Sequence, residues 1–306
     1  MLGVPLFAIM GLLALFSFSH AGIEASAVII EIYKMAQAPT LISIPLFTLS
    51  GYILAESKSP LRLIRFARAG LCWFPGSITI VVLLVCSLFT AFTGASGVTI
   101  IALGGLLYPM LREEGYDDKF SLGLITTAGS LGLLFPPSLP VIIYGMVAKV
   151  DIDKLFRAGF LPGVFLIFCL AAYCFWHSYR MKLLKRRQFS WQEFKAAGLD
   201  ALPEVLLPVF VLGAIYSGIS TVGEAASLTA LYVLIIEFYY YKDLSFKKDF
   251  LRITEESMSL VGGILLILCC ALAFTNFLID EQVPMKLFAL MREHVTGEMG
   301  FIIFLN

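Results

Sequence analysis

Two long stretches of this chain carry no charge. From Ala69 to Leu111, and again from Phe120 to Ala148, there is no Asp, Glu, Lys or Arg. Only lipid or a very dry core tolerates such runs. A spanning helix takes about 20 apolar residues. The segment Ser77 to Leu111 is therefore too long for one helix and slightly short for two complete spans with a turn. Its midpoint is small and polar: Thr93-Gly94-Ala95-Ser96-Gly97. The pattern predicts a re-entrant hairpin whose arms meet inside the membrane, where irregular backbone survives only if protein buries it or it lines a cavity. The alternative is a pair of ordinary short spans joined by a Gly-rich turn. After a charged loop, Arg112 to Lys119, the second uncharged stretch is broken at Pro136-Pro137-Ser138.

Composition agrees with a membrane protein. Hydrophobic residues make up 59% and charged ones 14%, against about 25% charged in soluble domains. A formal net charge of zero excludes an obvious polyelectrolyte partner such as nucleic acid. Cys72, Cys86, Cys169, Cys174, Cys269 and Cys270 lie in or beside apolar runs with neither ligand nor disulfide spacing, and read as packing residues. Met1 leads straight into an apolar run with no basic leader and no small-residue cleavage site.

In chain order, Leu2 to Phe18 is a short apolar run, so the native chain is expected to begin upstream. Residues 21–40 read as a connection and Leu41 to Ala55 as a span, in which Pro45, Ser50 and Gly51 point to close packing or a kink. Residues 60–75 carry Arg62, Arg65 and Arg68 at three-residue spacing and read as an interfacial helix with a basic stripe. After the hairpin and the broken span come Leu155 to Tyr179, Leu202 to Ser217, Val222 to Tyr241, Met258 to Ile279, and a last run from Met299. If Leu41 to Ala55 runs inward, the connections 56–76, 112–119, 177–200 and 242–256 are inside and hold 16 of the 22 Lys and Arg residues. The positive-inside rule favours that orientation, with the Arg180 to Arg187 cluster as a topology signal.

The chain also resembles itself. Glu56-Ser57-Lys58-Ser59-Pro60-Leu61-Arg62-Leu63 is similar to Asp280-Glu281-Gln282-Val283-Pro284-Met285-Lys286-Leu287, 224 residues on, and the same offset carries Gly76 onto Gly300. One copy follows an inward span and the other an outward one, so the repeat is inverted, as in secondary transporters. Asn306 then corresponds to Val82, and a second hairpin and second broken span are expected beyond it.

The residues at the two interruptions suit a charged solute and its counter-ion. An arm ending near Thr93 presents free carbonyls and the negative end of its dipole; an arm opening near Ser96 presents free N–H groups and the positive end. A cation and a carboxylate can then sit side by side without a buried charged side chain. Pro136-Pro137 cannot continue helical bonding, so carbonyls near Gly132 and Leu133 are expected to be free, with Ser96 and Ser138 hydroxyls beside them. The plainer reading is that Gly and Ser allow close helix approach and the prolines only kink a span. Glu224 reads as a helix N-terminal carboxylate or as a buried group at a domain contact. His20, His177 and His294 stand near span ends and share no spacing. An intramembrane hydrolase lacks an Asp pair and a base within reach of a nucleophile, so an enzyme is not expected. A channel or structural membrane subunit is the alternative to a carrier.

Leu2-Gly3-Val4-Pro5, Ile44-Pro45-Leu46-Phe47, Phe92-Thr93-Gly94-Ala95-Ser96-Gly97, Phe135-Pro136-Pro137-Ser138 with Tyr144-Gly145, Ala158-Gly159-Phe160-Leu161-Pro162-Gly163 and Gly223-Glu224-Ala225-Ala226 resemble the large membrane (M) subunit of tripartite ATP-independent periplasmic (TRAP) transporters. The resemblance runs along nearly the whole chain, in the family's order and spacing, except that the family's second hairpin and Thr-Pro-Pro break are absent. Where many members have an acidic residue five positions past the tip glycine, this chain has Thr99. Where many have Thr-Pro-Thr-Glu, it has Thr221-Val222-Gly223-Glu224. The resemblance implies a sodium-driven importer of organic acids, such as C4-dicarboxylates, sialic acid or related carboxylates, in the bacterial inner membrane. It implies a small membrane subunit and a periplasmic substrate-binding protein as partners. The expected fold is an all-α polytopic membrane protein of inverted-repeat, ion-transporter-like elevator type, with re-entrant helical hairpins and broken helices. Its expected divisions are 1–76 (N-terminal spans and interfacial helix), 77–148 (first hairpin and broken helix, the transport domain), 149–256 (connecting and scaffold spans) and 257–306 (start of the second repeat). The candidate sodium ligands are Thr93, Gly94, Ser96, Gly132, Pro136 and Ser138, and the candidate substrate contacts Ala95, Gly97, Thr99 and Pro137.

Overall fold

The computed structural model describes residues 4–24, 26–74, 76–183, 189–294 and 297–305. Leu2 and Gly3 of the first motif, Lys185, Arg186 and Arg187 of the basic cluster, the side chain of His294, and Asn306 lie outside the described residues. Helices α1 (Leu6–His20) and α2 (Ser26–Ala36) are followed by a 3-10 turn (Pro39–Ile42) leading into α3 (Ser43–Glu56). Then come α4 (Ser59–Leu71), α5 (Ser77–Thr93), α6 (Ser96–Glu113) and α7 (Asp118–Leu131). A second 3-10 turn (Gly132–Leu134) separates α7 from α8 (Leu139–Ala148). Helices α9 (Ile152–Arg180), α10 (Trp191–Asp200), α11 (Leu202–Tyr216) and α12 (Val222–Leu234) follow, and α12 continues as a π-helical turn (Ile235–Tyr240). Last are α13 (Asp249–Asp280), α14 (Val283–His294) and α15 (Glu298–Leu305).

The chain is an all-α polytopic membrane protein, with no strand among the described residues. Four helical segments are long and apolar enough to cross a bilayer: Pro39–Glu56, Ile152–Arg180, Val222–Tyr240 and Asp249–Asp280. Two bent pairs bring the number up to six if each is one span: Asp118–Leu134 with Leu139–Ala148 (41°), and Trp191–Asp200 with Leu202–Tyr216 (61°). Two stretches read as connections contain helices instead. In α2, Val28, Ile32 and Met35 recur at helical spacing and Val28 and Met35 are buried; α10 lies within 177–200. The 224-residue offset reappears in the helix boundaries: it carries the end of α3 onto the end of α13, and the start of α4 onto the start of α14.

The described chain divides into two compact units. One comprises the residues before Pro39 together with those after Val261. Its core is Ala14, Phe18, Val28 and Ala273 with Ile32, Phe274 and Phe277 against them, and Phe18 meets Phe277 edge-on at 5.4 Å between centroids.

The other unit, Pro39–Val261, is organised around α5. Helices α3, α4, α6, α7 and α9 pack on it, leaving only the stripe of Ser77, Ile80, Leu84 and Leu88 outside the buried core. Its freedom from charge is thus explained by protein packing as well as by lipid. Helix α3 packs against α5 on one side and α12 on the other. Helix α12 begins with a capping box: the Glu224 N–H donates to Thr221 Oγ1, and the Thr221 N–H donates to Glu224 Oε2 at 2.7 Å. Glu224 is exposed. It acts as the helix-end carboxylate rather than as a buried group, and the departure from Thr-Pro-Thr-Glu keeps the cap.

Candidate hairpin and broken-helix site

Helices α5 and α6 hold 17 and 18 residues, about 26 and 27 Å at 1.5 Å per residue, against a hydrocarbon core of about 30 Å. Between them lie only Gly94 and Ala95. Gly94 has φ +64°, and its N–H closes α5 on the Thr90 carbonyl at 2.8 Å. A Cβ at this position would lie 2.2 Å from Leu139 Cγ, so both backbone and space require glycine. Ala95 is extended and opens α6 with no side-chain cap. The tip is therefore a helix C-terminus followed at once by a helix N-terminus, as the residues predict. Thr93 Oγ1 is 2.9 Å from Thr99 Oγ1 across it, and both threonines are fully buried.

In the broken span the Pro136–Pro137 peptide is cis, and Pro136, Pro137 and Ser138 are buried. The two carbonyls expected to be free both carry protein hydrogen bonds. Gly132 O accepts from the Phe135 N–H at 3.1 Å, and Leu133 O accepts from the Ser138 hydroxyl. A tight 3-10 turn with a serine folded back on it recaptures what the prolines release, leaving second lone pairs and the Ser138 oxygen. Gly132 crosses α5 so closely that a Cβ would lie 2.4 Å from Ser87 O and from Thr90 Cβ. On that part of α5, Ser87 Oγ and Thr90 Oγ1 are buried with no hydrogen-bond partner among the described residues. Sequence reasoning passed over these two; the available signal was a pair of hydroxyls three residues apart in an uncharged helix.

The two interruptions adjoin. Gly94 lies against Leu139, the residue after Ser138, and Gly129, about two turns before the Pro136–Pro137 break, lies beside Ile100 and the Ser96 carbonyl of α6. Thr93, Gly94, Gly132, Pro136, Pro137, Ser138 and Thr99 are buried, Ala95 and Ser96 half-buried, and Gly97 exposed. Helix α3 closes another side, since Gly51 brings its backbone against Thr93 Cα and the Phe92 carbonyl.

A second polar group lies apart from the tip. Arg62, read as part of the basic stripe of an interfacial helix, is 7% exposed. Its Nε donates to Glu204 Oε1, its Nη1 to Asp243 Oδ2, and its Nη2 to both carboxylate oxygens of Glu237 at 3.0 Å. The guanidinium carbon sits 3.7 Å from the centre of the Tyr241 ring. Burial works against the charge, but the Asp243 hydrogen bond and the charges of Glu237 and Glu204 outweigh it and raise the guanidinium pKa. Three-residue spacing turns successive arginines by about 300° around the helix, so Arg62 faces inward while Arg65 stays exposed, 3.7 Å from Asp200 Oδ2. The partners of Arg62 are 142 to 181 residues away, which no local pattern reveals.

A family described as "Tripartite ATP-independent periplasmic transporter, DctM component" matches residues 1–306. The chain belongs to the DctM family. It is 31% identical over 97% of its length to the C4-dicarboxylate TRAP transporter large permease protein DctM of Pseudomonas aeruginosa, of which it covers 69%. To the isethionate TRAP transporter permease protein DctMQ of Oleidesulfovibrio alaskensis it is 30% identical, covering 99% of this chain and 48% of that one. To the ectoine TRAP transporter large permease protein TeaC of Halomonas elongata it is 29% identical, covering 86% and 62%. DctM proteins are transporter permeases and not enzymes.

Proposed function

We propose that the chain is the large membrane subunit of a sodium-coupled carrier that imports small organic acids. The observation that carries this is the meeting of the two interruptions: the end of α5 and the start of α6 stand at Gly94–Ala95, against the start of α8 and close to the Pro136–Pro137 break. A sodium ion takes oxygens: the end carbonyls of α5 near Thr93 and Gly94, and oxygens of Ser96, Gly132, Pro136 and Ser138, with Ser87 and Thr90 hydroxyls at the Gly132 crossing. The substrate carboxylate takes the positive end of α6 at Ala95 and Gly97, with Thr99 and Pro137 beside it. Opposite helix ends stabilise the two charges jointly, and this is a physical basis for coupling: each ligand binds better when the other is present.

The relatives named for C4-dicarboxylate, isethionate and ectoine transport differ by only two percentage points in identity. Similarity therefore supports the class of transporter without ranking the acid. In this reading the subunit works in the inner membrane beside a small membrane subunit, receives its substrate from a periplasmic binding protein, and moves the hairpin and broken helix as a transport domain against the remaining spans.

The test is uptake of radiolabelled organic acids into proteoliposomes holding the protein and its small subunit, with and without a sodium gradient and binding protein. Saturable uptake that needs both is expected. Uptake needing sodium alone would remove the binding protein from the scheme, and sodium-independent flux would replace the carrier by a channel.

A further inference from the structure

Near the start of α7 and the end of α9 the two helices leave a groove of about 250 Å³ between them. Its wall on α7 is Lys119, Gly123 and Thr127, which are four residues apart and so share one face, with Phe120 beside them. Its wall on α9 includes Leu170 and Tyr173. From Lys119 to Thr127 the groove follows the α7 axis for about 12 Å at 1.5 Å per residue. Gly123 supplies open space, since a Cβ there would meet nothing within 4 Å. The Phe120 and Tyr173 rings meet between the helices with centroids 6.5 Å apart. The walls are thus mainly apolar, with one ammonium at the end where α7 begins.

That end lies at a membrane surface. Tyr173, Trp176 and Tyr179 of α9 are 51%, 53% and 67% exposed, and Trp and Tyr near the end of a span mark the level of the lipid headgroups. The connections at these helix ends, 112–119 and 177–200, are among those holding 16 of the 22 Lys and Arg residues, which places them on the cytoplasmic side. Two of these cations lack a carboxylate. Lys119 is exposed and forms no ion pair among the described residues. Arg180 lies over the Trp176 ring at 5.7 Å and has no acidic partner among them either. Asp117 and Asp118, the acids next to Lys119 in the chain, are engaged elsewhere. Asp117 accepts from the Phe120 N–H and lies 3.9 Å from His177 Nε2, and Asp118 pairs with Arg112 Nε at 2.9 Å. The groove is too small for a partner helix: a cylinder about 10 Å across and 12 Å long takes on the order of 900 Å³. A flexible hydrocarbon chain is slimmer, and basic pockets between spans on the cytoplasmic side suit anionic headgroups.

We propose that the groove between α7 and α9 is a binding site for an anionic phospholipid of the cytoplasmic leaflet. One acyl chain lies along Gly123 and Thr127 against Leu170, and the headgroup phosphate is drawn to Lys119, with Arg180 adding to the positive field beyond Trp176. The chain length held by the groove gives affinity for any phospholipid, and the two unpaired cations give the preference for negative charge. The site stands apart from the hairpin tip and requires neither sodium coupling nor an organic-acid substrate.

The experiment is native mass spectrometry of the full chain released from detergent micelles, titrated with phosphatidylglycerol and with phosphatidylcholine of the same acyl chains. Tighter retention of phosphatidylglycerol is expected. Replacing Lys119→Ala together with Arg180→Ala should weaken phosphatidylglycerol on the order of tenfold, from about fivefold per cation, and leave phosphatidylcholine unchanged. Lys149→Ala, which removes a charge from the connection before α9, should change neither. Gly123→Leu places a side chain in the open groove and should weaken both lipids. Equal retention of the two lipids by the wild type would overturn the proposal, as would a preference that survives the double substitution or wild-type binding by Gly123→Leu. If a variant does not fold, the wild type alone decides through phosphatidylglycerol carrying a photoreactive diazirine in its acyl chain. Adducts on the segments 119–127 or 170–174 are expected, and adducts confined to other segments would overturn the assignment. None of these readouts depends on transport.

Discussion

Thr93 Oγ1 lies 2.9 Å from Thr99 Oγ1, joining the last residue of α5 to the first turn of α6 where neither side chain has any exposure. The bond spans the hairpin tip and fixes the relative placement of the two helix ends. Thr99→Val leaves the Thr93 hydroxyl with only a long contact to the Ala95 carbonyl at 3.4 Å. The expected loss is about 1–3 kcal/mol, the cost of a buried hydroxyl left without a good partner. Thr93→Val and Thr99→Val together should cost less than their sum, a non-additivity on the order of 1 kcal/mol in denaturant unfolding. Strict additivity would show that the two hydroxyls do not interact.

Gly94→Ala meets two obstacles, the left-handed backbone at φ +64° and Leu139 Cγ at 2.2 Å from the new Cβ. The first costs about 1–2 kcal/mol and the second about 1–3 kcal/mol of overpacking. Leu139→Ala in the same protein should recover the steric part and leave the backbone part. Bulkier residues at Gly94 should abolish uptake while membrane insertion, read by protease protection, stays normal.

At Gly132 the obstacles to a Cβ include the Ser87 carbonyl oxygen and the Ala91 nitrogen, which belong to the α5 backbone. No single companion substitution can make room there. Gly132→Ala should therefore lower thermal stability and resist rescue. Gly123→Ala in α7, where a Cβ meets nothing within 4 Å, should be neutral or stabilising by about 0.5–1 kcal/mol. Equal effects at the two glycines would contradict the close crossing.

Arg62→Ala removes the only side chain that touches Glu204, Glu237 and Asp243 together among the described residues. The expected destabilisation is about 3–5 kcal/mol, because buried carboxylates lose their counter-ion. Arg62→Lys should rescue poorly, since one ammonium cannot replace a planar fork donating in three directions. Thermal unfolding of the purified protein separates these outcomes. Near-wild-type stability of Arg62→Ala would place the cluster on an ordinary exposed surface.

Much of the local architecture was legible in the residues, and the reasons are local. The break between α5 and α6 falls at Gly94–Ala95 because the only small, polar run in that uncharged stretch stands there. The end of α7 and start of α8 flank Pro136-Pro137 because proline cannot continue the backbone ladder. Helix α2 was missed because charged residues interrupt its short apolar stripe. Arg62 was read as part of the basic stripe of an interfacial helix because of its three-residue spacing with Arg65 and Arg68, whereas Glu204, Glu237 and Asp243 come from distant segments.

The sequence by itself determined the solvent this chain is built for and where its helices must stop. Uncharged length fixes transfer into lipid or a dry core, and glycine and proline fix backbone conformation within a few bonds; neither depends on the rest of the fold. Tertiary structure alone decided that Gly94 rests on Leu139, that Gly132 crosses α5 at Ser87 and Thr90, and that Arg62 turns inward to three carboxylates. Those contacts depend on which helix faces meet, a property of packing between segments far apart in the chain.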